Sequence, residues 1–453
     1  MKMKKKYIFI IVGILTLMIL SIAIYAFKIM KDNDYNFYSF ILDKVYGNNL
    51  ISTTEDEQNQ MNFLSQPSEN PGNTNNNKNS IYTTTGYEGL ATISERTCYN
   101  LIKSQCDKIS NDIYKSKFYV IEDITVPGAK LSTTQIKKIM YAIQNDNPDI
   151  FWIASTFSYR YSGNSTVIKL NSVFSKKDQQ KAVEALNNKV SEIISSVPKN
   201  SSEYNTELFL HDYIVDNCKY EKITVNSESN PKVFTTYGCL VEGSAVCEGF
   251  SKSMQLLMNR AGMECKPIAG SRRSESHMWN VVKINDNWYH LDVTWDGAGT
   301  LSQYNYFNVT DDIIKKDHTI NEELSKTTKF NEDIRYNFKL PICTAAAENY
   351  FEKNAIKIKN LNSGADNLII KKIIESANLK KEFLYIMVDI MVDKNTNFDS
   401  VKKQLFIEKP YKYFSYVTAA NKSLSNGHKI NTRNAHYGEC IPQNVIIVQL
   451  NYA

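Results

Sequence analysis

Residues 241–262 read VEGSAVCEGFSKSMQLLMNRAG. Phe250, Met254, Leu257 and Ala261 fall at i, i+4, i+7 and i+11, one face of an α-helix, and Gly262 stands where a C-terminal cap belongs. Small residues precede that helix, so Cys247 sits in its first turn. Unpaired backbone N–H groups and the helix dipole favour an anion there, which are conditions that make a thiolate available. Gly243 and Gly249 flank the cysteine and let backbone or substrate approach closely. A buried structural cysteine is the competing reading, and position alone does not decide against it. A partner is needed.

The partner comes from residues 276–297, SHMWNVVKINDNWYHLDVTWDG, which alternate as a β-hairpin with its turn at Asn285-Asp286. That turn pairs 284 with 287, hence 277 with 294 and 279 with 292. His277 and Asp292 become diagonal neighbours on one face, roughly 7–8 Å apart at the backbone, close enough for the carboxylate to reach the ring. A slip by one residue would separate them. A thiol that attacks an amide needs a base to take its proton and return it to the leaving amine. The base needs a carboxylate to fix its tautomer. Cys247 as nucleophile, His277 as acid–base and Asp292 as orienting group fill these roles. His290 is a rival base, although Tyr289 and Leu291 beside it favour packing on the sheet. His211 reads as structural, and Trp279, Trp288 and Trp295 as core or cleft wall. The AVCEG motif is near the nucleophile elbow of α/β-hydrolases, but there the acid precedes the histidine.

Together YGCLVEGSAVCEGFSKSMQLLMNRAGMECKPIAG, HMWNVVKINDNWYHLDVTWD and YNYFNVTDD resemble the transglutaminase-like superfamily, particularly its bacterial cell-surface members. The resemblance spans about residues 205–320. It implies a papain-like core with the triad Cys247, His277 and Asp292 and acyl-enzyme chemistry on a protein or peptide amide. Whether an amine or water receives the acyl group stays open, as does the oxyanion donor beside the Cys247 N–H, for which Tyr237 is a candidate. A catalytically silent peptide-binding or scaffold module of the cell envelope is the alternative. No acidic cluster of EF-hand type is present, and neither a cofactor nor a metal is expected.

Outward from this core the chain divides by composition. Residues 1–6 form a basic tail. Residues 7–27 carry no charge over 21 positions, roughly 30 Å as a helix, and predict a transmembrane signal anchor with its N-terminus in the cytoplasm. A cleaved signal peptide, with secretion, is the rival. Residues 28–85 read as a stalk and disordered linker, 86–200 as an α+β module, 201–335 as the catalytic core and 336–453 as an α/β domain. The fold class is therefore α+β, a nucleophile helix packed on an antiparallel sheet with flanking α/β segments, after a transmembrane helix. Localisation at the cell membrane with the working part outside follows. So do a cell-surface protein or peptide as substrate and the membrane as a partner through the N-terminal helix.

Bulk charge excludes one class. The net charge is +5, but residues 1–34 hold six lysines against two aspartates, which leaves about one positive charge for the rest. No nucleic-acid partner is expected. Eight cysteines are too few and too irregularly spaced for a disulfide framework or a metal site. Cys98 and Cys106, on one predicted helix, lie about 12 Å apart, too far to bridge.

Overall fold

The computed structural model describes residues 83–453, apart from 115–117, 223–229, 300, 325–333 and 390–395. The expected basic tail, transmembrane segment and nearly all of the stalk lie outside the described residues. Among the described residues no helix is long and apolar enough to cross a membrane. The fold-class expectation is corrected accordingly. The described fold is α+β and contains no membrane-spanning helix, and its longest helix, of 21 residues, is charged along its exposed side.

The first layer holds helix α1 (Ile93–Gln105), strands β1 (Ile109–Tyr114), β2 (Phe118–Ile121) and β3 (Ile124–Val126), helix α2 (Thr133–Asp146), strands β4 (Ile153–Ser162) and β5 (Ser165–Ser172), and helix α3 (Lys176–Ser196). Glu122-Asp123 separates β2 from β3, both paired antiparallel with β5. Ser132 caps α2 in a capping box with Gln135, and Gly163 takes φ +58° in the turn joining β4 to β5.

Helix α4 (Glu203–Asn217) leads to the two-residue strand β6 (Lys219–Tyr220), which pairs in parallel with β7 (Ser244–Ala245). Helix α5 (Cys247–Arg260) follows. It lies against a four-stranded antiparallel sheet of order β10-β9-β8-β11, made of β8 (Cys265–Arg272), β9 (Glu275–Ile284), β10 (Asn287–Leu291) and β11 (His318–Ile320). One hydrophobic cluster runs from Leu90 to Phe338 through both layers.

Helix α5 differs from a one-faced amphipathic helix. Apart from the half-buried Lys252, Glu248 through Asn259 are all buried, polar side chains included. Tertiary hydrogen bonds make this tolerable. Ser251 Oγ donates to the Trp279 carbonyl at 2.9 Å, Asn280 Nδ2 donates to the Ser251 carbonyl at 3.0 Å, and on the other side Gln255 Nε2 donates to the Asn145 carbonyl at 2.7 Å. The helix ends in a Schellman motif, with Met263 N–H on the Met258 carbonyl, Gly262 N–H on that of Asn259, and Gly262 at φ +81°.

The C-terminal region is a mixed sheet of order β12-β13-β15-β14, from β12 (Ile356–Ile358), β13 (Phe383–Val388), β14 (His436–Cys440) and β15 (Val445–Gln449). Helices that include Ser363–Asn378 and Lys412–Asn421 cover it through a second hydrophobic cluster. It meets the central layer where Tyr304 stacks on Tyr350 at 3.6 Å and Gln443 Nε2 donates to the Asn305 carbonyl at 2.7 Å.

Candidate active site

The hairpin β9–β10 turns on Asn285 and Asp286, both at positive φ (48° and 65°), the paired left-handed geometry of a type I′ turn. Its register, 284 with 287 through 280 with 291, is the expected one. The second arm is shorter than expected. β10 stops at Leu291, and Asp292 becomes the N-cap of a short helix α6 (Val293–Asp296). Capping turns the carboxylate inward. Its Oδ1 accepts from the Thr294 and Trp295 N–H groups at 3.1 and 3.3 Å, which leaves Oδ2 for histidine.

His277 Nε2–H donates to that Oδ2 at 2.7 Å. Nδ1 is the ring nitrogen that Asp292 leaves for the Cys247 thiol, which lies near enough to act on the ring. The three residues nominated from sequence are thus brought together from the start of α5, from β9 and from the end of β10. His277 and Asp292 are buried, whereas Cys247 is partly exposed and the other seven cysteines are buried. All eight are free.

Electrostatics follow from this packing. Burial alone would pull the His277 ring down, but the Asp292 charge, their hydrogen bond and then the Cys247 thiol raise it to about 10. Burial opposes ionisation of Asp292, yet His277 and then His318 hold it well below the usual carboxylate range. Glu248, next to the nucleophile, is neutralised by Lys252 at 2.6 Å and Arg335 at 3.0 Å. Helix α5 has no side-chain cap at Val246, so its first-turn N–H groups stay open to an anion. Gly249 is required here, since a Cβ would lie 2.7 Å from the Val233 carbonyl oxygen and 2.8 Å from the Ala245 Cβ.

The other expectations resolve as follows. His290 packs on the sheet, taking the Trp279 Nε1–H at its Nδ1 (3.1 Å) and donating from Nε2 to Asp311 (2.8 Å). His211 bonds Asp212 and Asp296. Tyr237, offered as an oxyanion donor, instead commits its ring to Phe151, Phe174 and Lys232. Tyr220, which the sequence reading missed, stands beside the nucleophile. It pairs with Ala245, its ring lies 6.4 Å from that of Phe250, and its phenol is pushed up by burial and then by Cys247, Glu275 and Asp292. Half of its surface is exposed.

Among the described residues two groups have metal-ligand proximity, His277 with Asp292 and His318, and His290 with Asp311 and Cys343, each within 4.8 Å. Hydrogen bonds already engage the ring nitrogens. His318 faces a carboxylate from both nitrogens and has no lone pair to give, and the His290 lone pair takes the Trp279 N–H.

Residues 191–293 match the sequence model of the transglutaminase-like superfamily. No curated protein matches the chain. Among solved structures it is similar to a TGase, at 16% identity and TM-score 0.23 over 40% of this chain and 51% of that one. A second is a candidate cysteine protease from Cytophaga hutchinsonii, at 11% identity and TM-score 0.20 over 41% and 69%. A third is a candidate protease from Parabacteroides distasonis ATCC 8503, at 9% identity and TM-score 0.23 over 65% and 56%. The chain spans about half the length of the TGase. With Cys247, His277 and Asp292 all inside the matched stretch, the chain carries a transglutaminase-like domain over residues 191–293.

Proposed function

We propose that the protein is a thiol acyltransferase or amide hydrolase that forms an acyl-enzyme on a protein or peptide amide. The observation behind this reading is a partly exposed thiol beside a histidine that is held 2.7 Å from a buried carboxylate. His277 takes the Cys247 proton, and the sulfur attacks the amide carbonyl. The tetrahedral oxyanion is met by the Cys247 backbone N–H and the Tyr220 hydroxyl. The imidazolium then gives its proton to the departing nitrogen, leaving a thioester. An amine resolves it by transfer and water by hydrolysis. Export to the cell surface belongs to the same proposal and is supported by the lysines and uncharged run that open the sequence.

The test is ammonia release from glutamine peptides by the full-length protein, with and without an added primary amine. Cys247→Ala is expected to abolish turnover by at least about a thousandfold without lowering the melting temperature. Tyr220→Phe is expected to cost about a hundredfold in kcat with little change in KM. Peptide binding that survives in a wild type with no turnover would put the scaffold reading first.

A further inference from the structure

Asp292 Oδ2 accepts from two imidazoles, and one of them is outside the Cys247–His277 pair. His318 stands on β11, opposite Arg272 of β8. Its Nε2 is 3.1 Å from Asp292 Oδ2, and its Nδ1 is 2.8 Å from Asp317 Oδ1. An ionised carboxylate only accepts, so a ring wedged between two of them needs a proton on each nitrogen. Asp317 is in turn held as the anion. Tyr306 donates to its Oδ2 at 2.6 Å, and Arg272 Nη2 lies 2.9 Å from the same oxygen. Arg272 is fixed over the Trp295 ring, 3.6 Å from its centroid.

Charge therefore alternates along one largely buried line: Arg272 positive, Asp317 negative, His318 positive, Asp292 negative, then His277 and the partly exposed Cys247. We propose that His318 is a positioning residue of the reaction, a standing imidazolium that completes this line, fixes the oxygen that orients His277, and sets the pH at which Cys247 becomes a thiolate. The proposal rests on the reading of Cys247 as the nucleophile. With His318 charged, the four groups from Arg272 to Asp292 sum to zero, and proton transfer from Cys247 to His277 makes an ion pair in a neutral surround. With His318 neutral the same surround holds one uncompensated negative charge, which opposes a thiolate.

The groups that face His318 are Asp292, Asp317, His277 and Tyr306, with Trp279 and His290 behind it. Burial pulls its ring down, the bonds to Asp292 and Asp317 outweigh that, and His277 opposes them. His290 is the built-in contrast. It too is buried and bonded to a carboxylate, but its second nitrogen faces a donor, the Trp279 N–H, so that nitrogen cannot carry a proton. Burial pushes the His290 ring down. One donor exchanged for one acceptor leaves one of two neighbouring histidines neutral and the other charged.

The experiment uses full-length protein labelled with ¹⁵N-histidine, together with the pH dependence of Cys247 alkylation by iodoacetamide. The His318 ring, assigned by its loss in His318→Gln or by contacts to Tyr306 and Trp279 protons, should show two protonated nitrogens at neutral pH. The His290 ring should show one. In His318→Gln the acid limb of Cys247 alkylation should move up by about one pH unit. A neutral His318 in the wild type, or an alkylation limb that does not move, overturns the proposal. If wild-type Cys247 alkylates as an ordinary thiol and His277→Ala changes nothing, the functional reading fails first and the proposed effect on Cys247 falls with it. The His318 ring state distinguishes that case, because it is read without any reference to Cys247.

Discussion

The sheet β8–β11 and the C-terminal sheet β12–β15 are both four-stranded, and both bury their strands, but they bury different things. Around the first lie Arg272, His277, His290, Asp292, Asp296 and His318, all out of solvent. Around the second the buried residues are mostly Ile, Leu, Val, Tyr and Phe, with Ala377, Ala420, Met387 and Cys440 and the uncharged Ser376 and Gln443. From Tyr350 onward no carboxylate, imidazole or basic side chain is buried among the described residues. Buried ionisable groups cost free energy unless each finds a partner, and an apolar core of equal size would be as stable. A fold that concentrates them in one sheet and excludes them from its neighbour has placed its chemistry in the first and its packing in the second.

The widest gap between the two regions should open with Asp292→Ala. This removes the one acceptor shared by His277 and His318 and leaves one nitrogen of each buried ring without its partner, His318 keeping only Asp317. The expected loss is about 3–5 kcal/mol in unfolding free energy, with activated alkylation of Cys247 abolished as well. Chemical denaturation and iodoacetamide kinetics on the same sample read both. A variant that keeps wild-type stability would show that the buried charges are not mutually dependent.

Ile386→Ala is the counterpart on the other side. Ile386 is fully buried in β13, so truncation should cost about 2–4 kcal/mol through lost transfer energy and a cavity. The pH profile of Cys247 alkylation should not move. If it does, the C-terminal sheet is energetically coupled to the site through the Tyr304–Tyr350 stack, and the division of labour is wrong.

Much of the site was legible because its signals are local. The helix start at Cys247 and the two-residue turn at Asn285-Asp286 each depend on a few adjacent residues, and the turn alone sets which residues of the hairpin face Asp292. What lay beyond reading depends on contacts between distant segments. His318 reaches Asp292 through a three-residue strand that no periodicity marks, 26 positions downstream. A trace exists, since HD at 211–212, HLD at 290–292 and DH at 317–318 each set an aspartate beside a buried histidine. Tyr220 approaches Cys247 only through the pairing of β6 with β7. The all-round burial of α5 was hidden because Ser251 and Gln255 look like a solvated face until their tertiary partners are known. The edge strands β12 and β14 were missed because three residues, or a strand containing Gly438, give no alternating pattern.

The smallest effect expected to separate the two sheets is a pH dependence of stability. His211 is fully buried behind the site, and although burial pulls it down, hydrogen bonds to Asp212 and Asp296 raise it to about 9. Its partner does not mirror this. Burial pushes Asp296 up to about 7 against the pull of His211. The His211 direction is the firmer one, because two carboxylates at 2.9 and 3.2 Å serve a single ring. A histidine raised in the folded state contributes stability that is complete below its unfolded value near 6.5 and is lost as pH rises through about 9. Glu207, raised by burial to about 8, works in the same direction over lower pH, since it must stay neutral in the fold while the unfolded chain ionises. After the cost at Asp296 the His211 contribution should be on the order of 1–2 kcal/mol. Hydrogen exchange at pH 6.5 and 9.5, corrected for intrinsic rates, should show that loss in amides of β8–β10 while β13 and β15 hold their protection. Equal loss in both sheets would mean that they unfold as one cooperative unit, and local chemistry would then no longer explain where stability is sensitive to pH.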